Sequence, residues 1–470
     1  MIVATSPNAA ADLIGGRWRS IAIGAPAGDR RLGRSRSPEA APGPNGRLDS
    51  RTGGSVASAQ LVRKVSFELK GTTTALDRTA LAGTPSLLRA INERTVLDCV
   101  RRQGPISRAQ LARETALSKP TVSQALAGLQ RAGLVREAGR SRGGKGPTAI
   151  LYQLNPRAGW VVGIDVGRKW LRAAIADVTG QFVARRDERA QVRSASTLIA
   201  QIGEIAHGLA SDAGIRWGQV TFAAVGSPGV YEPGRGEVAL AYSLPGWGRQ
   251  GLVELVQREL GTKTGFENDV NLAALGERWH GLGKDARDFV YLHLGTGVGL
   301  GIIVNGELYR GSSGAAGEVG YLPLWKTDAR DPEGRRRGPL DIAASAAGVV
   351  DAARRAGMNG PLTAERVFTA ASRGDRRAVK VVAQEAERIA LTIAAVSAIL
   401  DPELVILGGG IGGNAELLLE PVRSKLGEIS PFRPRVEVSA LQHEATLYGS
   451  VSMALRSAHD QLFDRGMASA

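Results

Sequence analysis

A glycine-rich stretch from Asp288 to Tyr309 constrains the fold more than any other part of the chain. It begins with a short apolar run, Phe289 to Leu294, that is rich in residues favouring strands. Glycines at every second position follow, and Asn305-Gly306 then predicts a tight hairpin turn. The pattern predicts strand, glycine turn and strand, with backbone N–H groups able to hold an anion such as phosphate. An ordinary glycine-rich hairpin without a ligand is the alternative.

A similar pattern occurs earlier, from Trp160 to Asp177, where an Asp-x-Gly turn at Asp165 joins two strand-like segments. Two such hairpins about one small domain apart indicate an internal duplication. This layout resembles the actin-like nucleotide-binding fold, in which each of two lobes supplies one phosphate loop. We therefore expect an α/β body of two lobes.

The positive charge of the chain lies entirely in its first third. The net charge is +15, and residues 1–160 hold 25 Lys and Arg against 10 Asp and Glu, whereas the remainder is balanced. This asymmetry predicts that the N-terminal part binds an anionic polymer. A solvated basic tail is the alternative that charge alone leaves open.

Composition excludes several other classes of protein. No run of 18 apolar residues is present and no apolar segment follows a basic start, so we expect no transmembrane helix, no secretory signal and a cytoplasmic protein. Cys99 is the single cysteine, which excludes an intramolecular disulfide and a zinc site built on several thiolates. The composition of residues 1–83, rich in Gly, Pro, Ser, Ala and Arg, predicts a disordered basic extension, to which we assign no function.

Residues 84–155 have the pattern of a winged helix-turn-helix domain. Apolar residues at helical spacing predict a helix from Pro85 to Gln103, and serine caps predict two shorter helices, Arg108 to Thr115 and Lys119 to Ala132. Three residues separate the two short helices, as in a helix-turn-helix. A glycine-rich basic loop between two strand-like segments then supplies the wing.

The second short helix is expected to enter the major groove of double-stranded DNA. Its N-terminal residues would face bases and phosphates, and the basic wing suits the minor groove or the backbone. The residues predicted to bind DNA are Lys119, Thr121, Ser123, Gln124, Arg140, Arg142 and Lys145. The alternative is a three-helix domain that binds another protein, which fits less well with the 13 basic and 4 acidic residues of 84–160.

Carboxylates and amides lie at the predicted ends of strands in the body, where α/β folds bind ligands. Asn268 and Asp269 lie where a helix begins, and Glu318 lies on a glycine-rich loop after the second hairpin. Several acceptors together with an amide donor suit a hydroxyl-rich ligand. A carboxylate here could accept a hydroxyl proton as a general base or could cap the helix, and the spacing alone favours the cap.

Six motifs together resemble the ROK family of sugar kinases and sugar-responsive repressors. They occur in family order across about 300 residues, and a winged helix ahead of such a body resembles the repressor branch. The motifs are Gly-Ile-Asp-Val-Gly (163–167), Gly-Ser-Pro-Gly (226–229), Glu-Asn-Asp-Val-Asn-Leu-Ala-Ala-Leu-Gly-Glu (267–277), Gly-Thr-Gly-Val-Gly-Leu-Gly (295–301), Ala-Gly-Glu-Val-Gly (316–320) and Leu-Gly-Gly-Gly-Ile (407–411).

The resemblance implies roles for individual residues. Asp269 matches the catalytic base of the kinases, and Asn268, Asp269 and Glu318 match contacts to sugar hydroxyls. Asp341 matches a sugar-binding glutamate of the family, with a side chain one carbon shorter. The residues that match the two phosphate loops are Asp165, Gly167, Gly295, Thr296 and Gly297.

The chain departs from the kinase pattern at two places. Arg168, Lys169 and Trp170 stand where the kinases continue the first phosphate loop with glycine and then Thr or Asn, and these bulky side chains would obstruct a triphosphate. Tyr321 stands at the position of the zinc-binding histidine of the family, and no cysteine follows Cys99. We therefore expect no bound metal and no cofactor.

Together these features predict a sequence-specific transcriptional regulator, a repressor of genes for carbohydrate uptake or metabolism. Its kinase-like body, residues 160–470 with a first lobe at about 160–280, would sense a sugar or sugar phosphate. We expect a homodimer or homotetramer on its DNA operator, with no membrane partner and no enzymatic activity. The alternatives are an ATP-dependent sugar kinase with an accessory DNA-binding domain, and a body that only dimerises.

Overall fold

The structure, a computed structural model, describes residues 85–141, 148–232, 234–324 and 332–468. The N-terminal extension predicted at 1–83 lies outside the described residues, as do Arg142 and Lys145 of the predicted wing. The described residues form a winged helix followed by two lobes of mixed α/β structure, which confirms the predicted fold class.

The first domain packs three helices against a small antiparallel sheet of strand order β1-β3-β2. Its elements are α1 (Pro85–Gln103), β1 (Ile106–Ser107), α2 (Arg108–Thr115), α3 (Lys119–Arg131), β2 (Val135–Arg140) and β3 (Ile150–Leu154). The caps are those that the sequence predicts, because Ser107 Oγ accepts from the Gln110 N–H at 3.3 Å and Ser118 Oγ from the Thr121 N–H at 3.2 Å. Strand β2 is longer than predicted, so Arg140 lies in a paired strand rather than in a loop.

The first lobe is a five-stranded sheet of order β10-β7-β4-β5-β6. Strands β4, β5 and β6 form an antiparallel meander, and β7 and β10 continue the sheet in parallel. One face of this sheet is covered by helices α4 and α5 through a large apolar cluster. The elements are β4 (Trp160–Val166), β5 (Trp170–Asp177), β6 (Phe182–Arg189), α4 (Ala195–Asp212), β7 (Val220–Ser227), β8 (Val230–Glu232), β9 (Glu237–Ala239), α5 (Leu252–Leu260) and β10 (Thr264–Asn268).

The second lobe repeats this topology. Its strand order is β13-β12-β11-β14-β15, again an antiparallel meander extended by two parallel strands, which supports the internal duplication predicted from the two hairpins. Its elements are α6 (Asp269–Trp279), β11 (Phe289–Leu294), β12 (Val298–Val304), β13 (Glu307–Leu308), α7 (Pro332–Arg337), α8 (Pro339–Ala344), α9 (Ala346–Arg355), α10 (Ala364–Ser372), α11 (Arg376–Leu400), β14 (Leu404–Gly408), α12 (Gly409–Gly412), α13 (Ala415–Ile429) and β15 (Arg435–Val438).

The last helix, α14 (Ala445–Ala468), returns from the second lobe to the first sheet and to the winged helix. It crosses α6 at very close range, since a Cβ added to Gly449 would lie 1.7 Å from the Leu272 carbonyl oxygen. Further along, Val451 packs on the other face of the first sheet, and Phe463 belongs to the apolar core of the winged helix. One helix therefore contacts the interlobe crossing, the first lobe and the winged helix.

Candidate functional site

Helix α6 begins directly after the last strand of the first lobe, at the junction of the two lobes that we call the cleft. Asn268 is its N-cap, because its Oδ1 accepts from the N–H groups of Val270 and Asn271 at 2.8 and 3.1 Å. The Asn268 amide also donates to the carbonyl of Gly229 at 2.9 Å. Capping therefore falls to Asn268, and the carboxylate of Asp269 accepts from the N–H of Val270 at 2.9 Å.

Glu267 supports this helix start and was not singled out from the sequence. Its Oε1 accepts from the Asn268 N–H and from Asn271 Nδ2, both at 2.9 Å. Its Oε2 accepts from Nε of Arg310 at 2.6 Å, and Arg310 belongs to the second lobe. The buried glutamate thus fixes the helix start and joins the two lobes. The signal was present in the Glu-Asn-Asp motif, where only the last two residues were assigned roles.

Three carboxylates, those of Asp269, Glu318 and Asp341, lie close enough for their charges to interact. Burial raises the pKa of Asp269 to about 6, with the Val270 N–H acting against it. Burial, together with the charges of Asp269 and Asp341, raises the pKa of Glu318. Desolvated carboxylates are poised to accept hydrogen bonds from a ligand, so Asp269 and Glu318 stay candidates for contacts to a hydroxyl-rich ligand.

Asp341 is tied to the protein more tightly than its predicted role suggests. Its Oδ2 accepts from the Val298 N–H at 2.8 Å, and its Oδ1 accepts from Nε of Arg337 at 2.8 Å. Asp341 lies on helix α8, which follows α7 after the single residue Gly338. Asp341 therefore anchors the second glycine loop to these helices, and any contact with a ligand would use its remaining lone pairs.

The two glycine loops lie at the ends of the paired hairpins. In the second loop, the carbonyl of Gly295 accepts from Ala346 N–H at 2.7 Å, Thr296 is exposed, and a Cβ on Gly297 would lie 3.1 Å from Asp341 Oδ2. Helix α9 and Asp341 thus hold the loop from two sides, and little room remains for a side chain at position 297.

The first loop has a different electrostatic character. Asp165 Oδ2 accepts from Nη1 of Arg172 at 2.9 Å. Burial raises the pKa of Asp165 to about 6, Arg172 opposes that shift, and the charge of Asp269 adds to it. Gly167 begins a tight turn that its N–H closes on the Trp170 carbonyl at 2.9 Å. Arg168 and Lys169 are exposed at the tip of this turn.

Tyr321 lies at the edge of the same cleft, where its hydroxyl donates to the Arg336 carbonyl at 2.7 Å. Within the described ranges, no group of three or more His, Cys, Asp or Glu side chains is arranged to hold a metal ion. No helix among the described residues combines the length and apolarity needed to cross a membrane.

The predicted DNA-binding residues that the structure describes lie on α3 and β2. Lys119 and Gln124 on α3 and Arg140 on β2 are exposed, and Ser123 is half-buried. The hydroxyl of Thr121 lies 2.8 Å from that of Ser118 and so takes part in the helix cap. Arg136, also exposed on β2, was not predicted and extends the basic surface.

Comparison with known proteins decides the family. A family model described as ROK family matches residues 161–457, well over half of the chain. The chain belongs to the ROK family. Ahead of this ROK body, a model described as MarR family matches residues 90–145, the winged helix.

Individual relatives of this ROK chain fall into two groups. It is 28% identical over 392 residues to a xylose repressor of Caldicellulosiruptor bescii, an alignment that covers 79% of this chain and 97% of the relative. It is 30% identical over 302 residues to a glucokinase of Halalkalibacterium halodurans, covering 61% of this chain and 91% of the relative. A solved ROK family transcriptional regulator, a homologue of the E. coli MLC protein, superposes with a TM-score of 0.68 at 22% identity and covers 82% of this chain and all of that one. The likeness to the solved regulator shows the fold, including both the winged helix and the body.

Proposed function

We propose that this ROK family chain is a transcriptional repressor whose affinity for its operator is lowered by a sugar bound between the lobes. The observation that carries the proposal is helix α14, which contacts both the floor of the candidate pocket and the core of the winged helix. The similarity to a xylose repressor over both domains supports the same function, because the glucokinase match covers a smaller share of this chain.

Contacts of α14 provide a physical path between the two sites. At its start, Thr446 Oγ1 donates to the main-chain carbonyl of Asp269 at 3.2 Å. Near its end, Asp460 pairs with Arg94 of α1, whose guanidinium lies 5.3 Å from the ring centroid of Phe463. A sugar that binds Asp269 and Glu318 and closes the lobes would shift α6, and α14 would carry that shift to α1. The sugar changes DNA affinity only by its differential affinity for the two arrangements.

The operator complex is proposed to be a homodimer or a dimer of dimers. A single winged helix presents one recognition helix, α3, and reads one half-site. Two copies related by a two-fold axis would read a near-palindromic site with half-sites separated by about one helical turn, roughly 34 Å. The angle between the two copies is then the quantity that the sugar changes.

A sugar kinase is the second candidate, and one observation favours it. Asp269 is a desolvated carboxylate with its pKa raised to about 6, as suits a general base at neutral pH, and a glucokinase is among the relatives. Against it, Arg172 neutralises Asp165, a carboxylate that would otherwise be free to hold the magnesium of a nucleotide. Arg168 and Lys169 also replace the glycine and the Thr or Asn of the kinase loop with long side chains where a triphosphate would approach. We therefore propose that the chain is not an enzyme.

Binding of the full-length protein to a labelled fragment of its own upstream region tests these alternatives. Fluorescence anisotropy would be recorded while the complex is titrated with sugars, including xylose and glucose, with and without ATP and magnesium. We expect one free sugar to release the protein from the DNA, and we expect ATP to leave this release unchanged. Formation of a sugar phosphate and of ADP would instead establish the kinase and refute the proposal.

Substitutions on α3 should separate base reading from phosphate binding. Gln124→Ala is expected to weaken operator binding by roughly 10- to 100-fold and to relax sequence preference, because an exposed amide there is placed to pair with a base edge. Lys119→Ala should weaken binding to all DNA fragments alike. It should also reduce the magnitude of the slope of log affinity against log salt by about 1. Lys380→Ala, an exposed lysine on α11 of the second lobe, is the matched control and should change neither quantity. Equal effects of all three would remove α3 from the interface.

Sugar affinity should fall in mild acid. Because the pKa of Asp269 is raised to about 6, lowering the pH from 7.5 to about 5 protonates most of this acceptor and should weaken binding roughly tenfold. The effect on folding has the opposite sign: the protonated carboxyl favours the folded state at low pH, and that contribution is lost as the pH rises through about 6. Calorimetric titration at several pH values measures the first effect, and an affinity that stays constant down to pH 5 would remove Asp269 from the contact.

A further inference from the structure

Two exposed tyrosines from opposite lobes both contact Arg336. Tyr242 follows β9 in the first lobe and is 54% exposed, and Tyr321 follows Glu318 by three residues in the second lobe and is 37% exposed. An exposed aromatic ring is unremarkable when it stands alone. Here the two residues come from different lobes and share contacts with one arginine, so they offer a surface that a ligand can span.

Arg336 on α7 connects the two tyrosines. Its guanidinium carbon lies 5.6 Å from the ring centroid of Tyr242, and its main-chain carbonyl accepts from the Tyr321 hydroxyl at 2.7 Å. The guanidinium itself is oriented by Glu333, which accepts from its Nε and Nη2 at 2.9 and 2.7 Å. The three side chains are thus held as one unit, with an aromatic face and N–H donors side by side.

This unit is continuous with the carboxylates deeper in the cleft. Tyr321 ends the short turn Val319–Tyr321 that Glu318 caps, and a Cβ added to Gly320 within this turn would lie 3.2 Å from Cβ of Asp341. Burial raises the pKa of Tyr321, and Tyr242, Glu318 and Asp341 raise it further, whereas Arg336 lowers it. Accessibility increases outward, from Asp269 and Glu318, which are partly covered, to the two exposed tyrosines. The site is therefore elongated, with acceptors at its inner end and aromatic rings at its outer end.

The chemistry of the outer end matches a second sugar ring. A pyranose offers a face of C–H groups, which pack on the negative face of an aromatic ring, and an edge of hydroxyls, which accept from a guanidinium. A single sugar held by Asp269 and Glu318 would leave Tyr242 uncovered. We propose that Tyr242, Tyr321 and Arg336 form a second sugar subsite and that the effector is a disaccharide. The inference rests on the proposed function, because it extends the same pocket.

Calorimetric titration of the full-length protein with matched sugars tests the subsite. The pairs are xylose with xylobiose, and glucose with cellobiose and with maltose. For the pair that binds, the disaccharide is expected to bind at least tenfold more tightly than its monosaccharide. Tyr242→Ala should abolish that difference and leave the monosaccharide affinity unchanged, whereas Tyr242→Phe, which keeps the ring, should preserve it.

Phe432→Ala is the control. It removes another partly exposed ring, in the segment between α13 and β15, and should leave both affinities unchanged. A monosaccharide that binds and releases DNA as well as every disaccharide would overturn the subsite while leaving the proposed repressor in place. Binding of no sugar in either class would overturn the proposed function and the subsite with it. Loss of both affinities in Tyr242→Ala, with an unchanged melting temperature, would place Tyr242 in the inner site and also overturn the assignment.

Discussion

Asp269→Asn is expected to lower the affinity for sugar by roughly 100-fold while leaving operator binding intact, so that the sugar no longer releases DNA. The substitution removes a charged acceptor, and hydrogen bonds to charged groups contribute about 1.5–3 kcal/mol. It leaves the helix start in place, because Asn268 supplies the cap and Thr446 contacts only the main-chain carbonyl of residue 269. Titration of the operator complex with sugar, beside calorimetry of the free protein, measures both quantities.

The stability of the same variant distinguishes a binding residue from a structural one. Because burial raises the pKa of Asp269 to about 6, the charged carboxylate is unfavourable in the folded protein at neutral pH. Its replacement by a neutral amide should raise stability, by at most about 3 kcal/mol. Lost binding together with equal or higher thermal stability would show that the fold holds this carboxylate for a ligand.

Glu365→Gln is the matched control for Asp269→Asn. Glu365 also lies in the first turn of a helix, α10, but it is exposed on the second lobe. The control should change neither sugar affinity nor stability by more than a few tenths of a kcal/mol. A variant Asp269→Asn that still binds and responds to sugar like the control would show that the pocket does not use this residue.

Gly449→Ala is expected to destabilise the body strongly, by roughly 3 kcal/mol. An added Cβ would lie 1.7 Å from the carbonyl oxygen of Leu272, and the opposing Gly276 has its own Cβ position 2.1 Å from the carbonyl of Ala445. Both obstacles are backbone atoms within packed helices, so neither can rotate away. The α6–α14 crossing would have to open, and with it the path from Asp269 to the winged helix.

Differential scanning calorimetry measures this effect as a fall in melting temperature of roughly 5–10 °C. Gly427→Ala on α13 is the matched control, since an added Cβ there meets no atom within 4 Å. Alanine favours a helix over glycine by up to about 1 kcal/mol, so the control should melt at the same temperature or slightly higher. Equal melting temperatures for the two variants would show that the crossing adjusts without cost.

The local elements were predictable because each is determined by neighbours in the sequence. Ser107 and Ser118 cap their helices through N–H groups only three residues away. The hairpin of β12 and β13 turns at Asn305-Gly306, where both residues have positive φ. The spacing also placed Asn268 and Asp269 at a helix start but left open which role each would take.

Tertiary structure decided that division of roles. Asn268 became the cap because its amide reaches Gly229 on another loop, and that arrangement leaves Asp269 facing the cleft. Asp341 could not be assessed from sequence, because its partners are Arg337 and the distant Val298 N–H. Glu267 was overlooked for the same reason, as its partner Arg310 is 43 residues away in the other lobe.

The sequence by itself determined the family, the order of domains and the residue types at the pocket, because motifs and charge are carried by short segments. Only the tertiary structure shows that one helix packs against both the start of α6 and the winged helix. Nothing in the pattern of residues 445–468 distinguishes α14 from an ordinary terminal helix. Its role follows from where it packs, against Asp269 at one end and against Arg94 and Phe463 at the other. Such contacts join residues hundreds of positions apart, and a local pattern holds no record of them.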